Sequence, residues 1–221
     1  MPGRFGQLIT ASDAFARPAD TTAYAAGDSV APATKTITAA SNATPIVITS
    51  TTHGYVTGDA VTIASVGGNT AANGNWVVTK IDANTYSLAD IAGTASVGNS
   101  AYTSGGTSVR LIRLANMVRQ AGGSGKIVRT KLIGNTATIT NGTFRVYFLN
   151  TQITQIADNA AWTLLYANRA ICIGYSANMA LVTEGSGSDS GHAQDVATVI
   201  PFKCGAALRD LFAVIVAEAA Y

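Results

Sequence analysis

Short apolar runs rich in β-branched residues, each closed by a turn signal, recur along this chain and restrict it to strands. Pro45-Ile-Val-Ile-Thr49, Ala60-Val-Thr-Ile-Ala64, Asn75-Trp-Val-Val-Thr-Lys-Ile81 and Thr85-Tyr-Ser-Leu88 are strand-sized, and Thr57-Gly58-Asp59, Asn73-Gly74 and Asp82-Ala-Asn84 turn the chain between them. Further on, Lys126 to Ile133 and Thr143 to Leu149 read as strands, the latter with Phe144, Val146 and Phe148 on one face and Arg145 and Tyr147 on the other. Asn141-Gly142 is a hairpin signal joining Ala137-Thr-Ile139 to that strand. Trp162 to Tyr166, Ala170 to Gly174, Asp195 to Phe202 and Leu208 to Ala217 complete the set; Val214-Ile-Val216 favours a buried strand over a helix there. Ile112 to Gln120 fits either a strand or a short amphipathic segment. Heptads and fixed-period repeats are absent, so the expected class is all-β.

The runs fall into three parts. Residues 1–34 are irregular, residues 35–108 are rich in Thr, Ala, Asn and Gly, and residues 109–221 carry more large apolar side chains with Arg and Lys. The expectation is a β-sandwich or jelly-roll-like body built from the first and third parts. The middle part is expected as an inserted small β-barrel module of about five strands that projects from it. Glu184-Gly-Ser-Gly-Ser-Asp-Ser-Gly191 reads as a flexible exposed loop.

Charged residues make up 12% of the chain, about half the usual share of roughly 25%, beside 48% hydrophobic residues and 22 glycines. A surface so poor in charge suits contact with other protein better than isolation in water. The 14 basic residues exceed the 12 acidic ones by only two, too weak an excess for a protein that must neutralise many phosphates, so nucleic acid is not an expected partner. No signal peptide is evident, and the longest apolar run, Leu211 to Ala217, is far short of the roughly 20 residues of a membrane helix. Cys172 and Cys204 lack metal-ligand spacing; whether they pair is open, with buried free thiols the simpler reading.

Residues that could carry chemistry are few. Ser186, Ser190, Asp189, His192 and Asp195 lie close in sequence, but in or beside a Gly/Ser loop, without a nucleophile elbow or the rigid support a triad needs. His53 and Asp59 do not complete a metal site, and His53 is expected to fix a turn by hydrogen bonding. Asp82, Asp90, Asp158, Asp195, Asp210 and Glu218 show no acid/base pairing, and Asp158 is expected to cap or turn the chain locally. Gly122-Gly-Ser-Gly125-Lys126 leads into a strand and lacks the phosphate-loop pattern. Asn42-Ala-Thr44 and Asn141-Gly-Thr143 match glycosylation acceptors that carry no weight without a secretory signal. The chain therefore reads as a non-enzyme with no metal and no cofactor.

Two sets of residues carry a resemblance. Phe15-Ala-Arg-Pro18 to Tyr24-Ala-Ala-Gly27-Asp28, then Ala121-Gly-Gly-Ser-Gly125-Lys-Ile127, Phe144-Arg-Val-Tyr-Phe-Leu149, Ala157-Asp158-Asn159 and Leu211-Phe-Ala-Val-Ile-Val216, resemble a family of small virion proteins of tailed bacteriophages, often associated with the head. Thr52-His-Gly-Tyr-Val-Thr-Gly-Asp59, Ala72-Asn-Gly-Asn-Trp-Val-Val78 and Ala101-Tyr-Thr-Ser-Gly-Gly106 are similar to a small β module inserted in phage structural proteins, and distantly to a β domain of ubiquitin-activating enzymes. The resemblance implies a capsid decoration (cement) protein on the phage head surface, assembled in the host cytoplasm. Its partners would be the major capsid protein and copies of itself, as a homotrimer. Phe5, Phe15, Tyr24, Arg110, Arg113, Arg119 and Tyr221 are the expected interface residues, as large side chains near a terminus or loop. A tail, neck or fibre component is the alternative, as is a carbohydrate-binding host-recognition module making glycan contact through Trp76, Tyr86 or Tyr102 of the inserted module.

Overall fold

The computed structural model describes residues 8–18, 22–134, 142–164, 168–183 and 191–220. It is all-β as expected; among the described residues one 3₁₀ turn, Thr70–Ala72, is the sole helical element. After β1 (Ser29–Val30) the chain builds an antiparallel sheet from β2 (Lys35–Thr36), β3 (Ala39–Ala40), β4 (Val47–Thr49), β5 (Ala60–Ala64), β6 (Gly74–Lys80), β7 (Thr85–Ala89) and β8 (Thr107–Arg110). Their spatial order is β2-β8-β5-β6-β7-β4-β3, and the sheet curls strongly into a half-barrel. Alternation sends Ile46, Ile48, Val61, Ile63, Val78, Tyr86 and Leu88 inward, where they form a closed apolar cluster. Seven strands stand where about five were read, because β2 and β3 are two-residue pieces too short to show a period.

The rest of the chain supplies β9 (Ile112–Leu114), β10 (Ser124–Ile127), β11 (Thr130–Gly134), β12 (Thr143–Leu149), β13 (Cys172–Tyr175), β14 (Met179–Ala180), β15 (Val182–Thr183), β16 (Gly191–Asp195), β17 (Ile200–Lys203) and β18 (Leu211–Ala217). β18 is the axis of a six-stranded sheet: it pairs with β1, β9 and β12, and β12 pairs in turn with β13 and β14. Its run Leu-Phe-Ala-Val-Ile-Val-Ala is buried along almost its whole length, which is why alternation fails there and a continuous apolar run appears instead. Two small sheets, β10-β17 and β11-β16-β15, pack onto the same core through Ile127, Ile200, Phe202, Leu132 and Ala193.

That packing needs two glycines. Gly174 lies at φ +150°, and a Cβ there would sit 2.8 Å from Cγ2 of Ile200, so β17 approaches β13 only because this position has no side chain. Gly125, directly opposite Phe202, leaves room for the Phe202 ring, which a Cβ would meet at 2.7 Å. Of the strand expected at Trp162 to Tyr166, residues 162–164 form no strand and the rest lies outside the described residues, Ile112 to Gln120 becomes β9 followed by turns, and the hairpin partner Ala137 to Ile139 lies outside the described residues.

The half-barrel does not stand clear of the body. β5 is buried on both sides: Val61 and Ile63 face the half-barrel core, while Ala60 joins the body cluster and the Thr62 hydroxyl accepts the Gln155 N–H at 3.0 Å. Arg113 donates to the Gly58 carbonyl and pairs with the Asp210 carboxylate at 2.6 Å. Arg110 bridges Asp59 of the half-barrel, at 2.9 Å, and Asp13 of the N-terminal segment. The two ends of the half-barrel segment are neighbours, since Lys35 is the register partner of Ser108.

Inside the half-barrel, the hydroxyls of Tyr55 and Tyr86 both reach the Ser108 hydroxyl, at 3.0 and 3.1 Å. Burial pushes the Tyr55 phenol up to about 12, with Asp59 adding to it against the Ser108 hydrogen bond; burial pushes Tyr86 up as well. A phenol whose folded pKa is raised contributes stability that is complete below the unfolded value of about 10 and is lost as pH rises through the folded value. Raising the pH from about 10 to about 12 is therefore expected to lower stability, by about 2–3 kcal/mol from Tyr55 and further from Tyr86. Tyrosinate absorbance followed during a pH titration checks it: Tyr55→Phe should flatten that fall, and ionisation of every tyrosine near pH 10 with the fold intact would contradict it.

Candidate functional site

The residues expected to meet a partner are largely committed within the chain. Tyr24 is 2% exposed, its hydroxyl donates to Asp158 at 2.7 Å, and the Arg17 guanidinium lies 4.2 Å above its ring. Phe15 packs half-buried against the body core. Arg110 and Arg113 form the internal ion pairs that seat the half-barrel on the body, so their charge is spent inside the molecule. Arg119 alone of the described candidates is exposed, and Phe5 and Tyr221 lie outside the described residues.

The chemistry-bearing residues separate in the same way. Ser186, Asp189 and Ser190 lie outside the described residues. His192 and Asp195 both sit on β16, three residues apart, and therefore point to opposite faces of the strand. Asp195 turns inward and accepts the N–H groups of Ala177, Ala197 and Thr198. Its burial would raise its pKa, but those N–H donors outweigh burial and hold the carboxyl below the usual range. His53 fixes a turn as expected: Nδ1 accepts the Tyr55 N–H at 2.9 Å, which leaves Nε2 to donate to the Asp82 carbonyl. Among the described residues no three His, Cys, Asp or Glu side chains converge as metal ligands do. Cys172 and Cys204 are free thiols.

Of the module's aromatic rings, Tyr86 is fully buried, the Trp76 Nε1 donates to the Ala72 carbonyl, and the Tyr102 hydroxyl donates to the Gly105 carbonyl. A cleft of about 370 Å³ lies elsewhere, where Asn75 of the half-barrel faces Gln152, Thr154, Trp162 and Asn168 of the body. Two donors, Trp162 Nε1 and Gln152 Nε2, are buried with no acceptor among the described residues.

One surface is left uncommitted, and strand alternation builds it. Residues 124–134 run antiparallel to residues 191–203 through two ladders, β10-β17 and β11-β16, so together they form one bent ribbon, widened by β15 at its far end. Gly125, Ile127, Leu132, Ala193, Ile200 and Phe202 face the core. Their neighbours in sequence must then face outward: Lys126, Lys131, Ile133, Gln194, Pro201 and Lys203, with Val182 beside them, are all exposed. In the short connections between the ladders Val128, Arg129, Val196 and Val199 are also exposed. Asp195 ties the second connection down through its three N–H bonds.

Of the ten large apolar side chains that the described residues leave exposed, five lie on this ribbon: Val128, Ile133, Val182, Val196 and Val199, with Ile133 at 68% and Val182 at 62%. Scattered apolar side chains are ordinary, whereas a gathering on one sheet face marks a surface meant for contact. The interface candidates read from the sequence missed this ribbon because they were chosen by size and nearness to termini. No regular alternation marks it in the sequence: in Lys126-Ile-Val-Arg-Thr-Lys-Leu-Ile133 polar and apolar residues fall on both parities, so no solvent side can be read there. No protein-family model matches this chain, and no curated protein matches it in sequence.

Proposed function

We propose that the chain is a structural subunit of a tailed-bacteriophage particle, a capsid decoration protein that strengthens the head by binding across capsid subunits and to copies of itself. The observation that carries this reading is the ribbon, which with its short connections gathers half of the large apolar side chains that the described residues leave exposed. The low charge of the chain, the internal use of Arg17, Arg110, Arg113 and Arg145 in ion pairs, and the motif resemblance to phage virion proteins support it. Such a protein works by buried area and shape, with no bond made or broken.

Locating the chain by cryo-electron microscopy on the particle of the phage that encodes it is the direct test, coupled to removal and add-back. Heads lacking the protein should break at lower temperature and regain strength when it is restored. Density for the chain on the tail or neck would move the assignment to those parts, and no density anywhere on the particle would overturn it.

The cleft at Trp162 favours a second reading, contact with a host glycan through the body, because its lining sets an aromatic ring beside the polar side chains of Asn75, Gln152, Thr154 and Asn168. A glycan array distinguishes it: specific binding should disappear in Trp162→Ala.

A further inference from the structure

We infer that the outward face of the ribbon docks an acidic protein surface, one that presents carboxylates around an apolar centre; this rests on the reading of the chain as a particle subunit and names the chemistry of its partner. Lys126, Arg129, Lys131 and Lys203 are exposed on the ribbon, and no hydrogen bond or ion pair engages the side chain of any of them among the described residues. They share the ribbon and its connections with the exposed Val128, Ile133, Val182, Val196 and Val199. Most of the described carboxylates behave in the opposite way: Asp13, Asp59, Asp158, Asp210 and Glu218 are in ion pairs with arginine, and Asp195 faces inward. Four cations thus stand on this face against no described carboxylate. Glu184 and Asp189, between β15 and β16, lie outside the described residues, and counting both still leaves the face net positive.

A second copy of the chain is the wrong occupant for this face. Two copies related by a two-fold axis would set the same four cations against each other. A head-to-tail contact needs an acidic face elsewhere on the chain. The described carboxylates that are neither in ion pairs nor turned inward are Asp28, which accepts the Ala25 N–H of its own turn, and Asp82 and Asp90 of the half-barrel, which flank opposite ends of β7, so they form no patch. Asp82 and Asp90 are held ionised by backbone N–H groups of their own turns. Nucleic acid is also a poor occupant, since the cations are interleaved with aliphatic side chains and, among the described residues, the one aromatic ring on the face is His192, half-buried between Ile133 and Val182. A protein surface with a carboxylate rim and an apolar centre matches both parts of the pattern.

The test uses the full-length chain and heads stripped of it. Wild type should bind with an association rate that falls as salt rises. The triple variant Lys126→Glu/Lys131→Glu/Lys203→Glu should associate roughly tenfold or more slowly at low salt, and Ile133→Ser/Val182→Ser/Val199→Ser should dissociate faster, both with unaltered melting. Absence of wild-type binding to the heads would overturn the particle reading and this inference with it. Normal binding by both variants would overturn the inference and leave the particle reading in place. Variants that change the oligomeric state and leave head binding intact would assign the face to a second copy. Tighter binding of wild type to a duplex DNA or an anionic phospholipid vesicle than to heads, lost in the triple variant, would assign it to those ligands. Lysines on edge strands also discourage strand pairing; if Lys126→Gln/Lys131→Gln/Lys203→Gln merely self-associates and still binds heads at the wild-type rate, that protective role is sufficient and the inference fails.

Discussion

Asp158→Ala is expected to lower stability by about 3–5 kcal/mol, a large part of the 5–15 kcal/mol typical of a folded domain. The carboxylate, 5% exposed, gathers three partners from the N-terminal segment: the Tyr24 hydroxyl at 2.7 Å, the Ala31 N–H at 2.8 Å and the Arg17 guanidinium at 3.3 Å. Alanine would strand a buried hydroxyl and a buried backbone N–H, each at a cost of about 1–3 kcal/mol. Arg17, partly exposed, can turn to water and adds less. Around this hub the N-terminal segment is zipped onto residues 159–162 by Ser29 N–H to Ala160, Asn159 N–H to Ser29 and Trp162 N–H to Gly27. The loss should therefore appear first as release of that segment. Urea unfolding measures the size, and limited proteolysis cutting before Val30 in the variant, but not in wild type, locates it. Asp158→Asn, which keeps one acceptor, should lose about half as much. An alanine variant within about 0.5 kcal/mol of wild type would show that the hub does not hold the segment.

Excision of residues 35–108, with the flanks joined through a short Gly/Ser linker, is expected to give a body that still unfolds cooperatively but at lower stability. The ends to be joined, residues 34 and 109, adjoin the register partners Lys35 and Ser108, so closure is short and its entropic cost varies by only roughly 0.6 kcal/mol per doubling of linker length. The body keeps the ladders of β18 with β1, β9 and β12, and its Arg113–Asp210 pair. It loses the cover of β5: Ala60 and Ile91 leave the core cluster, the Gln155 N–H loses the Thr62 hydroxyl, and Arg110 keeps Asp13 but not Asp59. Those losses sum to about 2–4 kcal/mol. Denaturant unfolding should show a smaller m-value, since less surface is exposed, and a lower midpoint. An insoluble or non-cooperative product would mean that the half-barrel is part of the body fold. A body as stable as the full chain would mean that the β5 seam contributes nothing.

Strand existence was legible because its cause is local. β-branched runs bounded by Asn-Gly and Gly-Asp turns have no better conformation than a strand, so β4, β5, β6, β7, β12 and β18 stand close to where the residues put them. The all-β class follows from the same short-range physics. His53 was legible too, since its role ends within a single turn and a neighbouring loop.

What a side chain meets across long sequence separations was not legible. Asp158 reads as a local cap but bonds residues more than 120 positions away, and nothing in its own neighbourhood signals that. Arg110 and Arg113 look like surface cations because sequence cannot say that Asp13, Asp59 and Asp210 will converge on them. The ribbon was hidden for the same reason: polar and apolar residues fall on both parities along Lys126 to Ile133, and which side the core takes is decided by Gly125 and Gly174 admitting Phe202 and Ile200. That the chain forms strands, and where many of them turn, thus follows from its residues, because φ/ψ preference and turn chemistry act between neighbours. Which charges are neutralised inside and which apolar side chains stay outside emerges with the packed fold, because burial is settled between segments far apart in the chain.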